Sequence, residues 1–287
     1  MTYPGTILKA FQLFAKKELG QNFLADPNMA KHIVAVARIS SDDVVLEIGP
    51  GLGALTVHLA EKAKKIYAVE KDHRLIQHLK NELAAADVSN VEVLNQDIFR
   101  FNIDTVASPE NKLVVLGNLP YNISSQVLFK LVENRSYVSR AVLMFQKELA
   151  ERICAPPGSR TYGRLSAVMQ YCSTVKILTG VSSSLFFPKP DVESTVIEVD
   201  FFDRQEISYD KEVFLFKVIK AAFSKRRKTL KNSLTGEELA ISRENVEKGL
   251  NEANIDPSRR AETLTVDEFK MLCEALYPLR AAFKDNS

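Results

Sequence analysis

An amide, a rigid proline ring and a phenol stand together at Asn118-Leu119-Pro120-Tyr121. They follow the apolar run Leu113-Val114-Val115-Leu116-Gly117, which reads as a buried strand ending in a tight turn. In open α/β sheets, ligands bind at such strand ends. The Asn118 side-chain oxygen and the Leu119 carbonyl offer two acceptors for the two hydrogens of an exocyclic amine on a flat base. That amine is a poor nucleophile because its lone pair is delocalised into the ring. Two acceptors draw the nitrogen toward a tetrahedral shape and localise the pair. Pro120 stiffens the turn. Tyr121 offers a face for the base, and such stacking is worth roughly 1–3 kcal/mol. Alone, the four residues are better read as a plain strand end with a turn proline and a buried ring. Their weight comes from the residues before them.

Glu47-Ile48-Gly49-Pro50-Gly51-Leu52-Gly53-Ala54 joins a strand to a helix, and its glycines permit a sharp turn and close approach to a ligand. Such a loop suits a dinucleotide and S-adenosyl-L-methionine alike. Glu70 ends the next strand, where a carboxylate can take both ribose hydroxyls; Asp97 closes the third, where it can accept from an adenine amine. An acid after the second strand alone fits a nicotinamide enzyme equally well, and acids after both tilt the reading toward adenosylmethionine. Ala54-Leu55-Thr56 carries no Lys-Ser/Thr pair, which argues against a triphosphate loop. With a methyl donor already activated as a sulfonium, no strong base is required, and catalysis is mostly positioning.

The elements that must hold these residues alternate. Strands are expected at 44–48, 65–69, 91–95, 113–116 and 141–145, with helices at 55–62, 73–86 and 124–134. That rhythm reads as βαβ units and a parallel sheet. Two later β-rich stretches, 169–179 and 195–202, extend its edge. Beyond residue 205 the pattern turns helical: 206–230, 243–253, and a last helix to 276 opened by a Thr265/Glu268 capping box. The expected domains are therefore 1–205 and a small all-helical 206–287.

Hydrophobic and charged fractions of 46% and 26% are ordinary for a globular chain, and the net charge of +2 says little. Its distribution says more. Residues 213–236 carry seven basic side chains and no acid; residues 153–190 carry four, again with no acid. Acid-free basic stretches suit a polyanion partner. Arg160, Arg164, Lys225, Arg226, Arg227 and Lys228 are the candidate phosphate contacts, the last four expected on a helix. Phe186 and Phe187 are candidates for a second ring against an extruded base. The four histidines and three scattered cysteines show no metal spacing, so no metal is expected. No membrane span, secretory signal or transit peptide is read, and a reducing cytoplasm is the expected location.

The chain resembles the ribosomal RNA adenine N6,N6-dimethyltransferases nearly end to end. The matching segments include Leu19-Gly20-Gln21-Asn22-Phe23-Leu24, the Glu47-to-Thr56 loop and Gly117-Asn118-Leu119-Pro120-Tyr121-Asn122-Ile123-Ser124. They continue through Tyr162-Gly163-Arg164-Leu165-Ser166, Phe187-Pro188-Lys189-Pro190-Asp191-Val192, Arg226-Arg227-Lys228-Thr229-Leu230 and Ile255-Asp256-Pro257. The resemblance implies a Rossmann-like class I methyltransferase sheet, mostly parallel with an antiparallel edge strand, and a small helical C-terminal domain. It implies cofactor contacts at Asn22, Leu24, Gly49, Gly51, Glu70, Asp97 and Asn118, and a flanking ring at Phe186. The implied substrate is a pair of adjacent adenosines near the 3′ end of small-subunit (16S) rRNA, each dimethylated in a precursor 30S particle by a monomeric enzyme. The Arg226-Arg227-Lys228 and Ile255-Asp256-Pro257 signatures favour that branch over resistance enzymes acting on large-subunit rRNA. Asn254 stands where the family usually has Gly, and Asn tolerates a left-handed cap. An assembly factor whose binding outweighs its chemistry is also compatible with the basic surface. A nicotinamide dehydrogenase would need a hydride-transfer site that the sequence does not offer.

Overall fold

The computed structural model describes residues 3–10, 12–203, 207–225, 227–236 and 238–280. They divide into two compact units, Met1–Ala150 with Thr174–Asp203, and Glu151–Ser173 with Arg204–Ser287. The segment 151–173, expected in the first domain, thus groups with the C-terminal helices.

The first unit is built on nine strands among the described residues: β1 (Phe23–Leu24), β2 (Val44–Ile48), β3 (Lys65–Glu70), β4 (Val91–Asn95), β5 (Leu113–Asn118), β6 (Val138–Gln146), β7 (Ser173–Val181), β8 (Phe186–Phe187) and β9 (Ser194–Phe201). The main sheet has the order β4-β3-β2-β5-β6-β9-β7. From β4 to β6 every pair is parallel, and β9 runs antiparallel to β6. Strands β2, β5 and β6 are apolar almost throughout because both their faces are covered. The helices of this unit are α1 (Pro4–Ala10), α2 (Pro27–Val36), α3 (Thr56–Ala60), α4 (His73–Ala85) and α5 (Ser124–Glu133). Helix α6 (Lys147–Ile153) follows β6. Strand β2 leads outward to β3 and β4 on one side, while β5 lies on its other side. The order therefore reverses between β2 and β5, where an open α/β sheet forms a crevice.

The second unit contains α7 (Arg164–Cys172), α8 (Tyr209–Ala222), α9 (Leu230–Leu234), α10 (Arg243–Glu252) and α11 (Val266–Leu276). Phe223 anchors it, 5.9 Å from both the Tyr162 and Phe269 rings. The Thr265/Glu268 capping box forms in both directions, at 3.2 and 2.8 Å. Asn254 takes a left-handed φ of 56° after α10, as its place in the sequence requires.

Two expectations need correction. The stretch 169–179 is helix to Cys172 and strand only from Ser173. Leu165, Val168, Met169 and Cys172 are buried at helical spacing, and strand-forming residues begin at Thr174. The stretch 206–230 is not one helix: α8 ends at Ala222, and α9 begins at Leu230. Lys225, Arg227 and Lys228 therefore lie on an exposed turn. Adjacent like charges without acids one turn away give a helix no support. Arg226 lies outside the described residues.

Candidate active site

A cleft opens at the crevice between β2 and β5, lined by the loops after β2, β3, β4 and β5 and by the segment 18–24. Its open space, mouth included, is about 1290 Å³. The loop after β2 places Gly49 and Gly51 at φ of 68° and 58°. A Cβ on Gly49 would meet nothing within 4 Å, so the backbone there faces open space. The Gly51 amide instead donates to Glu70 Oε2 at 3.0 Å.

Glu70 is 7% exposed and also accepts from the Asp72 amide through Oε1 at 2.7 Å. Burial raises its pKa, and the two amides oppose that rise. A carboxylate offers about four acceptor sites, so backbone amides do not exhaust its capacity to accept from ribose hydroxyls. Asp97 accepts from the Phe99 amide at 3.0 Å and pairs with Lys71 at 2.9 Å. Burial pushes its pKa up, but the Lys71 ammonium and the Phe99 amide outweigh burial and hold it below the usual range. It is thus a fixed, ionised acceptor at the cleft wall.

Asn118 is oriented by main chain. Asn118 Nδ2 donates to the Asn22 carbonyl at 3.0 Å. Because that partner can only accept, the amide cannot turn over, and Oδ1 is left as the acceptor. Among the described residues nothing donates to Asn118 Oδ1 or to the Leu119 carbonyl. The Leu119 side chain is buried beneath the turn. Pro120 contributes its carbonyl to Ile123 N and Ser124 Oγ, at 3.2 and 3.0 Å, which ties the turn to the start of α5. Tyr121 lines the cleft, and its Oη lies 2.9 Å from Ser194 Oγ.

The segment 16–24 crosses the cleft as a strap. Gln21 Nε2 donates to Asp72 Oδ2 at 2.9 Å and its Oε1 accepts from Lys16 N at 2.8 Å. Asn122 Nδ2 donates to the Glu18 carbonyl at 3.3 Å. Leu24 is 2% exposed and pairs with Phe186 in the β1–β8 ribbon. Gln21, Asp72 and Ser194 were not found by sequence reasoning; the one local signal was Asp72 as the N-cap of α4.

The flanking role implied for Phe186 needs correction. Its ring is 3% exposed, packed in the core with Leu24, Met144, Val181 and Val196. Pairing with β1 turns alternate side chains to opposite faces, so Phe186 enters the core. Phe187 packs instead against the cluster of Phe23 and Leu52, and neither ring lines the cleft. Of the other expected contacts, Asn22, Leu24, Gly49, Gly51, Glu70, Asp97 and Asn118 all line the one cleft. Arg160, Lys225, Arg227 and Lys228 are exposed and Arg164 half-buried in the second unit. The described residues contain no metal-binding cluster.

The family model for ribosomal RNA adenine dimethylase matches residues 13–276. A protein of Desulforapulum autotrophicum named ribosomal RNA small subunit methyltransferase A is 60% identical over 282 residues, covering 98% of this chain and 99% of the relative. A protein of the same name from Alkaliphilus oremlandii is 40% identical, covering 94% of each chain. The crystal structure of a dimethyladenosine transferase from Plasmodium falciparum, 28% identical, superposes with a TM-score of 0.75 over 90% of this chain and 99% of that one. The 23S rRNA methyltransferase ErmE, at 24% identity and a TM-score of 0.66, covers 89% of this chain and 99% of its own, and shares the fold. A sheet that reverses at the cleft, acids behind two successive strands and an amide acceptor behind a third are what methyl transfer to an amine asks for, and the chain belongs to the ribosomal RNA adenine dimethylase family of methyltransferases.

Proposed function

We propose that this protein transfers methyl groups from S-adenosyl-L-methionine to N6 of two adjacent adenosines near the 3′ end of 16S rRNA, dimethylating each. The observation that carries this reading is Asn118 at the cleft, whose amide is locked by the Asn22 carbonyl so that Oδ1 is left as an acceptor. The relatives' shared name supports the small subunit as substrate.

When bound, the cofactor supplies a methyl group already activated on a sulfonium. Glu70 would hold its ribose hydroxyls and Asp97 its adenine amine. Gly49 leaves room for close approach of the cofactor to backbone, and Asn22 and Leu24 lie over it. Asn118 Oδ1 and the Leu119 carbonyl accept the two N6 hydrogens and localise the nitrogen lone pair. The nitrogen becomes acidic only after the methyl arrives, so no base needs to be placed beside it. Tyr121 supplies the stacking face for the extruded base. The second unit would act as the rRNA-binding domain, with Arg160, Arg164, Lys225, Arg227 and Lys228 meeting phosphates. The working context would be a monomer on a precursor 30S particle in the cytoplasm; no described helix is long and apolar enough to cross a membrane.

Labelled S-adenosylmethionine and undermethylated small subunits test this directly. Label should accumulate as N6,N6-dimethyladenosine at two neighbouring positions. Asn118→Ala should abolish transfer while cofactor binding stays measurable. Label confined to another base or to protein would defeat the reading.

A further inference from the structure

Ser194 opens β9, a strand in which branched and apolar side chains are favoured, yet it is a serine and only 1% exposed. Its hydroxyl lies 2.9 Å from Tyr121 Oη, across 73 residues of sequence. The sheet register explains the meeting. Asn118 stands opposite Met144 on β6, and Gln146, two residues further along, stands opposite Ser194 on β9. Ser194 therefore lies one pleat beyond Asn118, where the turn after Pro120 brings Tyr121 back toward the sheet.

Each member of this pair needs the other. A buried hydroxyl without a partner is costly, and among the described residues Tyr121 is the only side chain that meets Ser194. Tyr121 itself packs against no other described aromatic ring. Its side chain lines the cleft. Without a fixed point at the tip, the ring is free to turn about its two side-chain torsions. The hydroxyl lies on the axis of the second torsion, so its bond fixes the first and holds the ring's tip in place, and it does so from a strand rather than a loop. Antiparallel β9 thereby gains a task beyond closing the sheet: it supplies an anchor for the base platform.

Resting on the reading of Tyr121 as the stacking face, we propose that Ser194 is a positioning residue for substrate, its hydroxyl holding the tip of the Tyr121 ring at the place that receives the adenine. Ser194 touches neither base nor cofactor and acts through Tyr121 alone. Its removal should slow transfer to RNA while leaving the cofactor's affinity unchanged, a split that general damage to the fold would not produce.

The test is a double-mutant cycle on the full chain, read as kcat/KM for undermethylated small subunits, with cofactor Kd measured alongside. Ser194→Ala and Tyr121→Phe should each lower kcat/KM by about three- to tenfold, the range of one hydrogen bond. The double variant should be no worse than either single one. Ser194→Thr, which keeps the hydroxyl, should recover most of the rate. The proposal is overturned if Tyr121→Ala is crippled while Tyr121→Phe and Ser194→Ala run at the parent rate, or if the two single losses multiply in the double variant. If Tyr121→Ala runs at the parent rate, the stacking reading itself fails. Should Ser194→Ala not fold, Tyr121→Phe decides alone, and a parent-like rate overturns the proposal.

Discussion

Glu47 offers a quantitative test of how this cleft is built. It sits at the penultimate position of β2, 1% exposed, and its Oε2 has no hydrogen-bond partner among the described residues. Burial, with the neighbouring Glu70 charge adding to it, pushes its pKa from the ordinary 4.5 to about 8. Between those two values the folded chain keeps a proton that the unfolded chain has released. Unfolding free energy must therefore fall as pH rises across that window, and this group contributes no slope below or above it. The gap between 4.5 and about 8, at about 1.36 kcal/mol per pH unit, amounts to roughly 5 kcal/mol. Glu47→Gln keeps the shape and removes the titration, so the variant should gain on the parent steadily from mildly acidic to mildly alkaline pH. The chain has no Trp, so urea unfolding is best followed by far-ultraviolet circular dichroism at several pH values. Parallel pH profiles for parent and Glu47→Gln would refute the reasoning, because they would mean that the carboxyl is ionised in the native state at neutral pH.

Three further outcomes are expected. Gln21→Ala should weaken cofactor binding by about three- to tenfold, the worth of a lost hydrogen bond, because it frees the strap from Asp72; an unchanged Kd by calorimetry would show that the strap needs no anchor there. Gly249→Ala should destabilise the second unit by about 1–3 kcal/mol, since a Cβ would fall 2.4 Å from Leu276 Cδ2; thermal unfolding of the full chain checks it, and an unshifted transition would be inconsistent with the packing of α10 on α11. Replacing Lys225 or Arg227 by Ala should weaken binding to rRNA uniformly across sequences and reduce the magnitude of the salt slope by about one per residue; a slope equal to the parent's would remove that residue from the phosphate contacts.

Strands β2 to β5 were legible because each is a short, largely apolar run closed by a glycine, an acid or an asparagine. Those closing residues were legible as a site because sheet topology brings strand ends together whatever the tertiary detail. The strap was visible as the motif Gln21-Asn22-Phe23-Leu24 but not as structure, since two residues of ribbon leave no periodicity. Its bonds to Asp72 and Asn118 span 51 and 96 residues, distances that no local pattern records. Phe186 and Phe187 are adjacent and chemically identical, so only the ribbon's pairing decides which ring enters which cluster. The break after Ala222 was missed because the apolar stripe of α8 ends just before the basic run, and cations are good helix formers one at a time. Contiguous, they favour the solvated turn that the structure shows.

If Asn118 receives the base as proposed, its bond to the Asn22 carbonyl also bears on what the enzyme refuses. With one N–H of its nitrogen held by that carbonyl, the amide cannot turn over, and Oδ1 stays the acceptor. A base that carries an oxo group in place of the amine, as hypoxanthine does once adenine has been deaminated, sets acceptor against acceptor. Since the carbonyl belongs to the main chain, no side-chain replacement at position 22 removes the bond's acceptor. On the proposed role of Asn118, an adenosine converted to inosine before the enzyme arrives would be refused as well as lacking the amine, and the missing methyl groups would record that damage in the finished subunit.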